Sequence, residues 1–387
     1  MRGFLAAVAV LFFSPVFAAE VHLFRDLTFD AALKEAAVKK KIVMVDFYTA
    51  DCVPCKRMDL TTWRDTGVAA FLNERAIPLR LDADKLPALS KRYHLKEFPT
   101  MLLVRPDGTA IDRLVGYKSA DKFLAELKES LSGKTALQRA QAEVALSTGD
   151  AVRQANARMK LAEVLAQDGD GAASLKEYLW LFDDGMKKLD DFVGVRRSYL
   201  PMEIKSLGGD YPPALAALRA RRDAAKKNLE APGYTQDDAR DFSAINWALG
   251  EPKVTMAFFD SVPGGDPRRH MLGNLVFDEL LKSRRYGDAV EAWPADNIRD
   301  QFDRGAKYAW GPKPGGDAES QRSMREFQIK NAADGLEALA GSGKLDEARE
   351  LIKRMRAVDD SPWVRAILRK HLERAGQAGL LPVTAQH

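Results

Sequence analysis

The sequence predicts an α/β domain, with a mixed four-stranded sheet flanked by helices, followed by an all-α helical-repeat domain. Two observations lead to this prediction. Strand-like apolar runs alternate with helical patterns over residues 20–133, which favours parallel pairing, and a tight turn adds one antiparallel hairpin. From residue 134 to 387 strand patterns nearly vanish, and apolar residues recur at helical spacing. A chain of 387 residues is long enough for two or three domains.

Residues 1–18 are typical of a secretory signal peptide. Arg2 precedes ten apolar residues, Phe4–Phe13, and Val16–Ala18 has small or aliphatic side chains where a signal peptidase cuts. The apolar run is shorter than the roughly 20 residues of a membrane-spanning helix, although an uncleaved anchor is the alternative. We therefore expect cleavage after Ala18, a periplasmic location and no membrane span in the mature chain.

Composition excludes some functional classes. Hydrophobic residues make up 46% and charged residues 29% of the chain, which is ordinary for a globular protein. The formal net charge of +4 is small for this length and argues against a nucleic-acid-binding protein, which would concentrate basic residues on one face. No sequence feature indicates a cofactor.

The only two cysteines, Cys52 and Cys55, form a C-x-x-C pair. In an exported protein such a pair can be redox-active, form an inert disulfide or contribute to a metal site. A disulfide across two residues closes a very short loop and so stabilises little. A structural zinc ion needs four ligands, and neither His22 nor His94 has ligand spacing to the pair. The pattern therefore favours redox chemistry and no metal.

The first domain has a regular succession of predicted elements. A helix from Thr28 to Ala37, with Thr28 or Asp30 as its cap, precedes the continuous apolar run Ile42–Tyr48, which is typical of a central strand. A helix is predicted after Cys55. The remaining predicted elements are a helix over 68–75, a strand over 77–82, a helix over 87–94, strands over 100–104 and 111–115, and a helix over 120–131.

This order, with C-x-x-C at the end of the first central strand, resembles the thioredoxin superfamily. Val45–Tyr48 is similar to the family's V-D-F-W, and Cys52–Lys56 is similar to its C-x-P-C-K motif. Phe98-Pro99-Thr100 matches the family's cis-proline segment, and Gly116 matches a glycine after the last strand. The opening helix and the region after the cysteines are closer to the secreted branch, which includes the carboxy-terminal domain of the disulfide-interchange reductase.

The resemblance implies roles for individual residues. Cys52, at a helix start, would be the exposed attacking sulfur, and Cys55 would resolve the mixed disulfide. Asp46, six residues before Cys52, would be the buried acid, with a raised pKa, that accepts a proton from Cys55. Pro99 would be cis and would face the sulfurs.

Three further residues are predicted to contact protein clients. Val53 and Pro54 lie between the cysteines, and Pro54 also fixes the backbone of the first helical turn. Phe98 would present its backbone to a client peptide. The partners implied are protein thiols and disulfides, and a membrane protein is a further candidate as electron donor.

Two positions depart from the family pattern. Asp51 stands where the family has tryptophan, and its carboxylate is expected to disfavour a Cys52 thiolate by like-charge repulsion, whereas Lys56 and Arg57 act in the opposite direction. The family's lysine partner of the buried acid has no counterpart on the next strand, because Pro78 falls near that place.

The second part is predicted to consist of helix pairs that resemble tetratricopeptide repeats. Residues 331–357 have the alanine and glycine spacing of that repeat, but the intervals between pairs are irregular, so an irregular helical bundle is the alternative. Predicted helices cover 152–167, 172–182, 192–207, 213–229, 236–249, 253–259, 271–282, 286–293, 324–340, 345–357 and 362–375, with a surface loop over 310–316. Four tryptophans, Trp180, Trp247, Trp293 and Trp363, are predicted to be core residues.

Two functions are compatible with these patterns. The first is a periplasmic thiol–disulfide oxidoreductase that exchanges disulfides with protein clients, with the helical domain binding a client or partner. The second is a non-enzymatic periplasmic binding or scaffold protein, in which the first domain is structural or a redox switch. The ordered set Asp46, Cys52, Cys55 and Pro99 favours the first function, and the size of the helical part favours the second.

Overall fold

A computed structural model describes residues 23–311 and 317–381. The predicted signal peptide and most of the predicted loop, residues 312–316, lie outside the described residues. The chain divides into two compact units after Lys188. The first unit contains the sheet, and the second is helical.

The first unit contains a four-stranded sheet with the order β2-β1-β3-β4. β1 is parallel to β2 and antiparallel to β3, and β3 is antiparallel to β4. Its strands are β1 Ile42–Tyr48, β2 Ala76–Asp82, β3 Thr100–Val104 and β4 Ala110–Val115. Its helices are α1 Phe29–Lys39, α2 Val53–Leu60, α3 Thr66–Arg75, α4 Pro87–Arg92, α5 Ala120–Leu131, α6 Ala136–Leu146, α7 Ala151–Gln167 and α8 Gly171–Trp180.

The sheet is covered on both faces, which explains the continuous apolar run of β1. Because side chains alternate along a strand, Val43, Val45 and Phe47 lie on one face and pack with residues of α1. Met44 lies on the other face and packs with residues of α2, α3 and α5. Asp46 follows Met44 on this second face. The predicted fold class, a mixed four-stranded sheet flanked by helices, is confirmed.

Helix α6 packs against the edge strand β4, α7 packs against α6, and α8 packs against α7. Without α6, this edge would expose unpaired backbone groups. Two neighbouring charged residues of β4, both less than a tenth exposed, hold these helices in place. Asp112 accepts the backbone N–H of Ala136, at the start of α6, at 2.9 Å. Arg113 donates to the carbonyl oxygen of Tyr93 at 2.8 Å and lies 3.5 Å from the carboxylate of Asp168. The sheet and these three helices therefore form one unit, although the composition changes near residue 134.

The second unit contains twelve α-helices among its described residues, and a large apolar core packs residues from the second half of α11 through α20 together. The helices are α9 Val193–Arg197, α10 Tyr199–Leu207, α11 Pro213–Glu230, α12 Gln236–Leu249, α13 Pro252–Ser261, α14 Pro267–Leu275, α15 Phe277–Lys282, α16 Tyr286–Ala292, α17 Ala295–Ala309, α18 Ala318–Gly341, α19 Leu345–Val358 and α20 Pro362–Arg374. Their lengths range from 5 to 24 residues. The tetratricopeptide-like repeat stays a prediction.

Several helical predictions were wrong in detail. The helix predicted over 192–207 is broken at Ser198, since Pro201 has no N–H to donate to the preceding turn. The helix predicted over 271–282 is broken at Val276. Trp247 is 62% and Trp363 39% exposed, so these two tryptophans are not core residues. In the described part of the chain, no helix is sufficiently long and apolar to cross a membrane.

Two glycines of the second unit test how tightly its helices pack. A methyl group on Gly273 of α14 would lie 2.3 Å from Cβ of Ala292, whereas one on Gly287 of α16 would have no neighbour within 4 Å. We expect Gly273→Ala to lower the free energy of unfolding by about 1–3 kcal/mol. Gly287→Ala should be neutral or stabilising by up to about 1 kcal/mol. Urea denaturation measures both, and equal effects of the two substitutions would contradict the packing described here.

Candidate functional site

The C-x-x-C pair lies at the start of α2, directly after the loop that follows β1. Cys52 is the N-cap residue, and its Sγ accepts the backbone N–H of Cys55 at 3.1 Å. Cys52 is half-buried, Cys55 is 2% exposed, and a disulfide joins them. The free N–H groups and the positive dipole end of α2 would stabilise a thiolate on the reduced pair. Only Cys52 is accessible to attack or be attacked by a large client.

Asp46 lies on β1 behind the pair, on the sheet face that α2 covers, and is 1% exposed. Its Oδ2 accepts the indole N–H of Trp63 at 3.1 Å. Within the described part of the chain, Oδ1 accepts no hydrogen bond. A buried carboxylate with so little compensation is costly to ionise.

The sequence predicts that the family's lysine beside this acid has no counterpart on the next strand, but the structure places a different cation there. In the parallel pairing of β1 with β2, Arg80 lies opposite Asp46, whereas Pro78 lies opposite Met44. Nε of Arg80 is 3.3 Å from Oδ2 of Asp46. Arg80 is therefore the cation that lies beside the buried acid, in place of the family's lysine.

Arg80 is shared with a second carboxylate. Two of its terminal nitrogens each lie 2.8 Å from an oxygen of Asp59, in the last turn of α2, which is a bidentate arrangement. Its guanidinium also lies over the Tyr48 ring, 4.4 Å from the centroid. Arg80 is therefore oriented primarily by Asp59, and its compensation of Asp46 is incomplete.

This environment raises the pKa of Asp46 from its ordinary 3.8 to about 7. Burial is the largest cause, and the negative charge of Asp59 acts in the same direction. The charge of Arg80 and the Trp63 hydrogen bond lower the pKa and offset part of the increase. A carboxyl group with a pKa near neutrality can both accept and release a proton at ordinary pH.

The segment before β3 lies at the same end of the sheet. The Phe98–Pro99 peptide bond is cis, and the antiparallel pairing of Phe47 with Thr100 places Pro99 beside the end of β1. Pro99 is buried, and its carbonyl oxygen accepts the N–H of Gly116 at 2.8 Å. The Phe98 side chain packs against the core of the first unit. Phe98 itself is half-buried, whereas Pro99 and Thr100 are buried.

The remaining predicted residues surround Cys52. Val53 is 73% exposed, and Pro54 is also exposed, as required of client contacts. Asp51 is an exposed turn residue directly before Cys52. The guanidinium of Arg57 lies 4.2 Å from the centre of the Tyr117 ring. Within residues 23–311 and 317–381, no group of three His, Cys, Asp or Glu side chains is arranged to hold a metal ion.

Sequence reasoning missed Arg80, Asp59 and Trp63. One signal for Arg80 was present, because β1 and β2 each carry a single charge within their apolar part, Asp46 and Arg80. Their pairing depends on the register between two strands, which the sequence alone does not define.

Fold and site together define a protein of the thiol–disulfide exchange class, with a C-x-x-C pair, a buried acid and a cis-proline segment. Comparisons with known proteins agree. A family model described as a thioredoxin-like domain matches residues 29–131. Thioredoxin-1 of Drosophila melanogaster is 31% identical over 86 residues, which are 22% of this chain and 74% of that protein.

Two further comparisons concern proteins of disulfide interchange. The thiol:disulfide interchange protein DsbD of Ralstonia nicotianae is 34% identical over 106 residues, which are 26% of this chain and 17% of that protein. The oxidised DsbD C-terminal domain of Neisseria meningitidis is 34% identical, with a TM-score of 0.23, covering 26% of this chain and 88% of that chain. The chain belongs to the thioredoxin-like family through its first unit. This membership and the C-x-x-C pair support thiol–disulfide oxidoreductase activity in general, although the relatives are distant.

The raised pKa of Asp46 predicts a pH-dependent stability. In the unfolded chain the carboxyl ionises near pH 4, but in the folded chain near pH 7, so the folded state binds more protons between these values. The free energy of unfolding of the oxidised protein should therefore fall by up to about 1.4 kcal/mol per pH unit over this range. Asp46→Asn should make the decline shallower by this amount, as measured by urea denaturation at several pH values, and the part that remains comes from other buried carboxyl groups such as Asp334, whose pKa is raised to about 6. Asp121→Asn, at an exposed position, is the control and should not alter how the free energy of unfolding changes with pH.

Substitutions at Asp59 and Arg80 should shift the pKa of Asp46 in opposite directions. Asp59→Asn removes a repelling charge and frees Arg80 to pair with Asp46, so the pKa should fall. Arg80→Met removes the attracting charge, so the pKa should rise. Carbon-13 NMR titration of the Asp46 carboxyl group measures both, and shifts of the same sign would contradict the shared ion pair.

Proposed function

We propose that this protein is a periplasmic thiol–disulfide oxidoreductase that exchanges disulfides with protein clients through Cys52 and Cys55. The observation that carries the proposal is the pairing of an accessible Cys52 and a buried Cys55 with an acid, Asp46, whose pKa is about 7. The predicted signal peptide supports export, and the similarity to disulfide-interchange proteins supports protein substrates.

In the reducing direction, the Cys52 thiolate attacks one sulfur of a client disulfide. A mixed disulfide forms, and the other client sulfur leaves as a thiolate and takes up a proton. Cys55 then loses its proton to ionised Asp46 and attacks Sγ of Cys52. The second client sulfur leaves as a thiolate, and the protein holds the Cys52–Cys55 disulfide. Two electrons have passed to the client, and Asp46 can release its proton to solvent.

One charge near Cys52, that of Asp51, supports this direction, whereas Lys56 and Arg57 act against it. Asp51 places a carboxylate beside the attacking sulfur, and a negative charge there opposes the thiolate form. The exchange equilibrium shifts toward the oxidised protein when its thiolate is less stabilised, which makes the dithiol a better reductant. A membrane protein is a candidate donor of the electrons that regenerate the dithiol.

The helical second unit is proposed to bind clients or a partner. Three clefts of about 410, 260 and 480 Å³ adjoin one another along it, since neighbouring clefts share lining residues. Asn274, Trp293 and Gln301 line both the first and the second, and Asp278 and Asp334 line both the second and the third. Amide side chains can donate to and accept from a peptide backbone, so this groove suits an extended polypeptide.

Replacement of the resolving cysteine tests the proposal. Cys55→Ser should accumulate mixed disulfides between Cys52 and client proteins in periplasmic extracts, because the second step is blocked. The wild-type protein, reduced by dithiothreitol, should also catalyse insulin reduction. The Cys52→Ser/Cys55→Ser variant is the control and should trap no client. A lack of both trapped clients and insulin reduction, with partner binding retained in Cys52→Ser, would instead support the binding-protein alternative.

A further inference from the structure

A cleft of about 450 Å³ lies between the thioredoxin-like part of the first unit and the helices that cover β4. Its first wall comes from the end of β4 and from α5, and includes Val115 and Lys122. Its second wall comes from α6 and α7, and includes Ala140 and Lys160. The volume is within the range of clefts that bind ligands, about 300–1,000 Å³.

The first wall of this cleft is joined directly to the redox site. Lys118 lines the cleft, and its carbonyl oxygen accepts the Thr62 hydroxyl at 2.5 Å, just beyond α2. Between Val115 and Lys118 lie Gly116, bonded to the carbonyl oxygen of Pro99, and Tyr117, whose ring faces Arg57 of α2. The segment from Val115 to Lys118 thus connects the cleft with α2 and with the cis-proline segment.

The second wall meets the redox site through the residue before Phe98. Gln167, at the end of α7, lines the cleft and donates from its amide nitrogen to Oε1 of Glu97 at 3.0 Å. Glu97 is followed directly by Phe98 and the cis-bonded Pro99. Both walls thus adjoin the segments that a client approaching Cys52 would meet. The second wall consists of helices that follow the thioredoxin-like part in the chain.

The charges lining the cleft are mainly positive. Five lining residues are cationic, and two are carboxylates, Glu126 and Glu143. Both carboxylates are engaged, Glu126 with Lys118 at 3.3 Å and Glu143 with Arg153 at 2.7 Å.

Two of the cations are available to form ion pairs with a ligand. Lys122 is exposed on the first wall and has no carboxylate within ion-pair distance among the described residues. Lys160 is exposed on the second wall and has only a surface pair with Glu163 at 3.1 Å, which is a weak interaction. Between them the cleft contains aliphatic groups of Val115, Ala140 and Val164.

We propose that this cleft binds a short acidic stretch of the client polypeptide, adjacent to the disulfide that Cys52 attacks. The inference rests on the proposed exchange function and specifies its substrate class, clients with Asp or Glu residues close to their disulfide. Lys122 and Lys160, one on each wall, would bind the client carboxylates, and the aliphatic groups would contact the client backbone and side-chain stems.

Two disulfide-containing peptides of equal length, with the disulfide flanked by glutamates in one and by glutamines in the other, test the proposal with the full chain. We expect kcat/KM at low salt to be about tenfold higher for the glutamate peptide, from two exposed ion pairs. The preference should shrink in high salt. Lys122→Glu/Lys160→Glu should remove the preference for the glutamate peptide, because both charges that would bind its carboxylates are reversed.

A matched control and a neutral substrate separate the possible outcomes. Lys34→Glu/Lys176→Glu changes the net charge equally at two exposed lysines outside the cleft and should retain the preference. Equal rates for both peptides with the wild-type protein, or an equal loss in the control variant, would overturn the acidic-client proposal while leaving exchange intact. Failure of the wild-type protein to reduce bis(2-hydroxyethyl) disulfide would overturn the exchange function itself.

Discussion

The burial of Asp46 in the central strand is the constraint on which the candidate site depends. A carboxyl group enclosed between a sheet face and a helix is expensive to ionise unless a cation compensates it fully. Arg80 is the cation available, but its bidentate contacts are with Asp59, and only Nε lies near Asp46. This incomplete compensation keeps the pKa near 7, so a proton can move to and from the acid. If Arg80 paired fully with Asp46, the pKa of Asp46 would be lower. The carboxylate would then hold an accepted proton less well near neutral pH.

The edge strand β4 connects the redox site to the helices that follow. Its neighbouring residues Asp112 and Arg113 point to opposite faces, so they can hold α6 on one side and the α7–α8 loop on the other. Both residues are buried and charged, and removal of one partner from such a contact is destabilising. The helices are therefore a fixed part of the unit that contains the C-x-x-C pair. This rigidity is what allows the second wall of the basic cleft to keep a defined position next to the Phe98–Pro99 segment.

Much of the first unit was predictable because its strands have local signals. The run from Ile42 to Tyr48 is strand in the structure as predicted, since seven residues covered on both faces leave few alternatives. The Arg80 pairing was missed because it depends on the register of two strands, which the sequence does not define.

Helix α17 was missed although five of its residues are buried at helical spacing: Ala295, Ile298, Phe302, Ala306 and Ala309. Its many charged residues obscured this narrow apolar stripe. Cleft residues such as Lys122 and Lys160 carry no local signal, because only the tertiary fold places α5 across one cleft from α6 and α7.

In the proposed reaction, the candidate site would carry out the disulfide exchange and the cleft would bind the client. In the proposed exchange, Cys52 and Cys55 would supply the sulfur chemistry and Asp46 the proton transfer, which any accessible disulfide could use. The absence of the family's tryptophan before Cys52 removes an apolar contact surface, and Asp51 in its place repels acidic groups near the sulfur itself. A client with carboxylates would thus be disfavoured directly at Cys52 but favoured a few residues away, at Lys122 and Lys160. Such a gradient of charge would orient a polypeptide, with its acidic stretch toward α6 and α7 and its disulfide at the start of α2.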